Sequence, residues 1–199
     1  LLTTPKALSS IWESLFLAVS SATICAVIGT AVVVAVRKST GFFKKALEGI
    51  SLLPEMLPSI VLVIGIMLFW NAIYQVLPLY NTIWIMVLAY VVLYLPYTVQ
   101  YVTSAFTQIN DSLLQAGRVF GGTPAYVFRR VTLPMISRGI FAGWMMIFII
   151  AFRELVTASL IAPPNTLVVS TYINREFEQG SVSLGMAMAV LCVLITTTA

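Results

Sequence analysis

Five long apolar runs organise the chain, at residues 14–36, 57–77, 83–106, 139–162 and 184–198, with polar stretches between them. The 55 residues between Glu55 and Asp111 contain no Asp, Glu, Lys or Arg, which leaves room for two spans of about 20 residues and a turn. Hydrocarbon offers backbone N–H and C=O groups no partners, so a spanning segment is a helix or part of a closed barrel. These runs lack the alternation of polar and apolar positions that barrel strands show. The pattern predicts an all-α, polytopic transmembrane helical bundle.

Composition sharpens this reading. The chain is 60% hydrophobic and 9% charged, with a mean hydropathy of +1.00, whereas a soluble domain carries about 25% charged residues. Cys25 and Cys192 both lie in apolar runs, outside any CxxC or metal-ligand spacing, and read as buried thiols. The chain opens on Leu1 and stops at Ala199 inside an apolar run, so it is expected to be a piece of a longer protein with helices missing at one or both ends. No basic front and small-residue cleavage site marks a signal peptide, so the first run counts as a span.

Cytoplasmic loops hold an excess of Lys and Arg, and this orients the spans. Arg37, Lys38, Lys44, Lys45, Arg118, Arg129, Arg130 and Arg138 fall on one side, eight of the eleven basic residues. Lys6 and Arg175 fall on the other, and Arg153 lies inside the fourth span. The first terminus is therefore expected outside. The net charge of +4 reflects the inner basic belt, so a lipid bilayer is an expected partner and nucleic acid is not.

Three features inside the spans are candidates for chemistry. Pro96 lies within the third run, where a missing N–H kinks a helix and suits either a pathway or ordinary packing. Gly139 and Gly143 make a GxxxG spacing that permits close helix approach, though small residues abound here. Arg153-Glu154 stands about 14 residues into the fourth run, roughly 21 Å along a helix. Charges at that depth are costly unless paired or wet, so the pair either fixes helix packing or lines a pathway or gate.

The longest polar stretch, residues 110–138, reads as two short helices. Ser112 and Gln115 match the S-x-x-Q capping box, Gly121-Gly122 ends the first helix, and Thr123 caps a second whose first position is Pro124. The second helix, 125–131, is expected to halt at Leu133-Pro134. Leu113, Leu114, Val119, Phe120, Tyr126 and Phe128 among basic residues give a surface suited equally to lipid head groups and to a docked partner. An enzyme is disfavoured: the chain has no histidine, no acid pair at catalytic spacing and no G-x-x-x-x-G-K-[ST] phosphate loop.

Gln115-Ala116-Gly117-x-x-x-Gly121, followed after nine residues by Val131-x-Leu133-Pro134, resembles the EAA motif of binding-protein-dependent ABC importer permeases, E-A-A-x-x-x-G-x9-I-x-L-P. The resemblance covers nearly the whole chain. It implies a five-helix permease core over residues 1–199, with a cytoplasmic coupling-helix loop, 107–138, between the third and fourth spans. It also implies that Leu114, Gln115, Ala116, Gly117, Phe120, Gly121, Val131, Leu133 and Pro134 form the surface that couples to an ATPase. Gln115 stands where the motif has Glu, which removes a charge, and Gly117 stands where it has Ala, which lowers helix propensity by about 1 kcal/mol. Docking is therefore expected to rest on apolar packing of Leu114 and Phe120.

The same resemblance implies alternating access in a bacterial inner membrane. The implied partners are cytoplasmic ATPase subunits, a periplasmic or extracellular substrate-binding protein and a second permease copy or half. It implies no cofactor or metal on this chain, with ATP held by the partner ATPase. The stretch 152–166 resembles the ferric-iron branch of these permeases, and polyamine, thiamine and phosphonate importers share much of its pattern. A secondary transporter or channel would also fit the composition. The loop discriminates, since such a carrier has no use for an ATPase-docking helix.

Overall fold

The computed structural model describes residues 5–198, and within them leaves aside the side chains of Asp111, Leu114, Ala116 and Arg118. Ten α-helices follow one another among the described residues, and no strand occurs. α1 (Pro5–Lys38) runs 34 residues, well beyond the expected 14–36, and is about 51 Å long at the usual rise. α2 (Gly41–Leu52) and a 3-10 turn (Leu53–Met56) precede α3 (Ser59–Ala72). α4 (Ile83–Thr107) then crosses back.

The expected second span, 57–77, is shorter than its apolar run. Pro58 sets the N-terminal boundary of α3, and turn bonds from Val76 and Leu77 to the Ile73 carbonyl end the helical segment before Pro78. Its 14 residues cover about 21 Å, less than a hydrocarbon core of about 30 Å. The segment Gly41–Met56 meets α3 at 108°. Counting helices long and apolar enough to cross a membrane gives α1, α4 and the continuous helical stretch Pro124–Phe152, with the bent pair as a fourth.

The loop between α4 and the next long helix holds α5 (Asp111–Val119) and α6 (Pro124–Val127). The second of these does not halt at Leu133-Pro134 as expected. It passes through a π-helical stretch, Phe128–Thr132, into α7 (Leu133–Phe152). Proline lacks an N–H and crowds the carbonyl four residues earlier, and a π-turn just before it relieves that conflict without breaking the rod. The expected fourth span, 139–162, is in turn not one helix: α7 ends at Phe152 and α8 (Val156–Ile161) restarts after a three-residue break. α9 (Val169–Glu178) and α10 (Val182–Thr198) complete the chain, the latter close to its expected 184–198.

α1, α4 and α7 pack on one another to form the centre of the bundle. Water does not drive helices together in lipid, so close van der Waals approach does the work, and small residues permit it. α1 buries Ser10, Ser14, Ala18, Ala22, Cys25, Ala26 and Gly29 along one stripe. A Cβ on Gly29 would lie 2.6 Å from Thr98 Cγ2, one on Gly143 3.3 Å from Thr98 Cα, and one on Gly139 would overlap Ala105 Cβ. The GxxxG of α7 is thus a real contact with α4. Cys25 and Cys192 are buried, and the Cys25 thiol donates to the Val91 carbonyl at 3.7 Å.

Candidate functional site

The α5–α6 loop, the candidate coupling segment, is built by terminal chemistry at each of its joints. Asn110, rather than the expected Ser112, starts α5, its Oδ1 accepting from the Ser112 N–H at 3.1 Å. Ser112 already lies inside the helix, so the expected capping box with Gln115 is not the device used. At the other end Gly121 sits at φ +81°, and the Gly122 N–H donates to the Gly117 carbonyl at 3.0 Å. That six-residue closure is a Schellman motif, with glycine at the left-handed position where an L side chain is disfavoured. Thr123 caps α6 as expected, its Oγ1 accepting from the Tyr126 N–H at 3.3 Å, with Pro124 at the first helical position.

Gly117 has a packing role that its lower helix propensity conceals. A Cβ there would stand 3.1 Å from Val127 Cγ2, and one on Gly122 would stand 2.5 Å from the Gly117 carbonyl oxygen and 3.0 Å from the same valine methyl. Two glycines therefore let α5 close onto α6 around Val127, which is buried. This closure turns large apolar side chains outward: Phe120 is 89% exposed, and Val119, Tyr126 and Leu113 are exposed too. Gln115 is also exposed. The side chains of Leu114 and Ala116, two of the coupling residues named from the sequence, lie outside the described residues.

The second half of the motif occupies a different place. Val131 falls in the π-helical stretch and is half-buried, beside buried Thr132. Leu133 opens α7 and lines an apolar groove with Thr30 and Val34 of α1, while Pro134 lines a cleft with Tyr101 and Ser104 of α4 and with Gln108, which caps that helix. These residues root the rod between α1 and α4, and the exposed apex formed by α5 and α6 is a separate surface. From Pro124 to Phe152 the helical path is unbroken for 29 residues, about 43 Å. The rod thus links the loop, by one helical path, to the break at its far end after Phe152.

That far end is the charged pair. Arg153 is the C-terminal cap of α7 and is exposed, while Glu154 is half-buried in the break. The pair does not sit on consecutive positions of one helix, as the sequence suggested. Glu154 Oε2 accepts from the N–H groups of Thr157 at 2.8 Å and Ala158 at 3.2 Å, so its partners are the open donors of α8 rather than Arg153. The Ser170 hydroxyl donates to the Glu154 carbonyl. Broken helix bonds inside a membrane need substitutes. Here a carboxylate replaces the missing acceptors and a hydroxyl the missing donor.

The segment after α8 is tied to α1 by a contact that the sequence pattern did not reveal. Glu13 Oε2 accepts from the Leu167 N–H at 2.7 Å, and Ser14 Oγ accepts from the Val169 N–H at 2.8 Å. The first apolar run, taken as 14–36, leaves Glu13 just outside it. The signal available was Glu13 itself, an acid at the edge of an apolar run. Pro96, the remaining pathway candidate, is buried inside α4, which continues through it.

Comparison with known proteins places this geometry. The family described as "Binding-protein-dependent transport system inner membrane component" matches residues 10–199. An Fe(3+)-transport system permease protein of Haemophilus influenzae is 27% identical over 135 residues, 68% of this chain and 27% of that protein. A spermidine/putrescine transport system permease protein of the same organism is 23% identical over 92% of this chain and 74% of its own length. The putrescine transport system permease protein of Escherichia coli (strain K12) is 27% identical over 87% of this chain and 63% of its own. The chain thus spans about a quarter of the first of these relatives and two thirds or so of the others. Among solved structures, a bacterial ABC transporter that imports the acidic polysaccharide alginate superposes with a TM-score of 0.78 at 17% identity, covering 99% of this chain and 77% of that one. The MetNI methionine ABC transporter, inward facing, gives 0.77 at 18% identity, covering 96% and 89%. A polytopic helical membrane protein with this match over nearly its full length belongs to the binding-protein-dependent transport system inner membrane component family.

Proposed function

We propose that this chain is the membrane-crossing part of an ATP-driven importer, moved between inward- and outward-open states by ATPase subunits that dock on the α5–α6 apex. The observation that carries this reading is the exposed apolar apex around Phe120 and Tyr126, joined by one continuous helix to the break at Arg153-Glu154. Docking rests on apolar packing, since Gln115 brings no charge to that surface. A substrate-binding protein on the outer side delivers cargo near α9, where Arg175, Glu176 and Glu178 are carried. A second permease copy or half completes the pathway.

For the cargo, ferric iron is the first reading, supported by the Haemophilus influenzae relative and by the stretch 152–166. Polyamine is the second, favoured by relatives that align over a larger share of the chain. In both readings the binding protein supplies recognition and this chain supplies passage. The test is uptake into proteoliposomes by the full-length permease with its own ATPase and binding protein, offered Fe(3+), putrescine, spermidine and 2-aminoethylphosphonate in turn. ATP-dependent accumulation of iron alone is expected. Accumulation of a polyamine instead would overturn the cargo, and accumulation without ATP would overturn the importer class.

A further inference from the structure

Lys44 and Lys45 served the sequence reading only as counters of sidedness, yet α2 has an organisation of its own. Its residues divide into two arcs. Phe42, Phe43 and Ile50 are exposed, at 86%, 65% and 69%, on one side of the helix. Lys44 and Glu48, one turn apart, face the opposite way into a cleft of about 730 Å³ closed by the inner end of α1 and by α4. Arg37, Ser51, Gln100, Thr103, Ser104 and Thr107 complete its polar lining, and the Gln100 amide donates to the Glu55 carboxylate. Arg37 is held at the mouth by its contact with the Phe106 ring, 5.0 Å from guanidinium carbon to ring centroid. The 108° bend turns the segment that holds α2 across the axis of α3, the orientation of a helix lying along a membrane that α3 enters.

We infer that the cleft between α1, α2 and α4 binds the head group of an anionic inner-leaflet phospholipid, and that α2 is an interfacial helix clamped by it. The chemistry fits on both sides of the helix. Arg37 and Lys44 offer two cations to one phosphate, a guanidinium fork and a point charge. Glu48 remains available to accept from a head-group hydroxyl, which phosphatidylglycerol carries. The apolar arc of α2 sinks into the acyl region beside the same lipid, as basic amphipathic helices do at an interface. The inner basic belt supplies the long-range attraction to an anionic leaflet. Because α2 joins α1 to α3, a lipid seated there restrains the joint between two crossing segments.

The experiment uses the full-length permease with its ATPase, extracted mildly from membranes containing phosphatidylglycerol and phosphatidylethanolamine and examined by native mass spectrometry and lipid analysis. Wild-type complex is expected to retain phosphatidylglycerol, and Arg37→Gln/Lys44→Gln to lose at least about 80% of it. Arg37→Lys/Lys44→Arg, which keeps both charges, is expected to retain it, as is Lys6→Gln on the outer side. Loss in the charge-keeping pair, retention in the Gln pair, or equal retention of phosphatidylethanolamine would each overturn the inference. So would full displacement of the lipid by millimolar inorganic phosphate, which would mark the cleft as a site for a soluble anion. A disulfide formed in membranes between two copies of a Phe43→Cys permease would likewise show that a second copy covers the apolar arc.

Discussion

Replacing Gly121 by alanine puts an L side chain at φ +81°, in a place where nothing stands within 4 Å of the new Cβ. The cost therefore comes from the backbone and not from a clash. The left-handed conformation disfavours an L residue by about 1–2 kcal/mol, which falls on the closure between the Gly122 N–H and the Gly117 carbonyl. If the closed α5–α6 turn is the docking-competent form, losing that much shifts its population by roughly 5- to 30-fold. Asn tolerates this conformation better than Ala despite its larger side chain, and a β-branched residue tolerates it worst. Coupling, measured as cargo imported per ATP hydrolysed in proteoliposomes, should fall in the order Gly, Asn, Ala, Val. A loss that instead follows side-chain volume, with Asn worse than Ala, would refute the backbone argument. Unchanged coupling in all three variants would refute the role of the turn.

The other joints yield their own tests. Glu154→Gln keeps an acceptor for the Thr157 and Ala158 N–H groups and should leave thermal stability in detergent nearly unchanged, whereas Glu154→Ala should cost about 0.5–2 kcal/mol and impair uptake more than assembly. Loss of folded protein as the sole effect of the alanine variant would reduce Glu154 to a packing residue. Gly139→Ala should destabilise the α4–α7 contact by about 1–3 kcal/mol and Gly143→Ala by less, since only the first Cβ overlaps its neighbour; a reversed order of melting temperatures would count against the packing described. Glu13→Ala removes a charged acceptor worth about 1.5–3 kcal/mol, so hydrogen exchange at the Leu167 amide should rise roughly 10- to 100-fold while exchange in α4 stays constant.

What was legible in advance depended on how local its cause was. The Thr123 cap, Pro124 and the Gly121 turn each follow from interactions within a few residues, and each appears where that local chemistry predicts it. The cap is Asn110 and not the expected Ser112: cap-competent residues two positions apart carry the same local signal. The break after Phe152 was illegible for the opposite reason. Apolar character continues straight through it, neither Pro nor Gly marks it, and one of its two compensating groups, Ser170, lies 16 residues downstream. The π-helical stretch before Pro134 hid behind the rule that proline stops a helix, which holds only when the preceding turn stays α-helical. The shortened second span was masked by hydropathy, since Ile73, Val76 and Leu77 prolong the apolar run past the end of α3.

The central claim is that the α5–α6 apex is where an ATPase subunit docks, and a photo-crosslinking amino acid placed at single positions in the full-length permease tests it in intact membranes. Placed at Phe120 or Tyr126, both exposed on the loop, it should yield a covalent adduct with an ATPase subunit, and the yield should change when ATP is trapped. Placed at Phe177, exposed on α9 at the far end of the bundle, it should yield none. Adducts of Phe120 and Tyr126 with lipid alone, in membranes where the complex is assembled and active, would contradict the account.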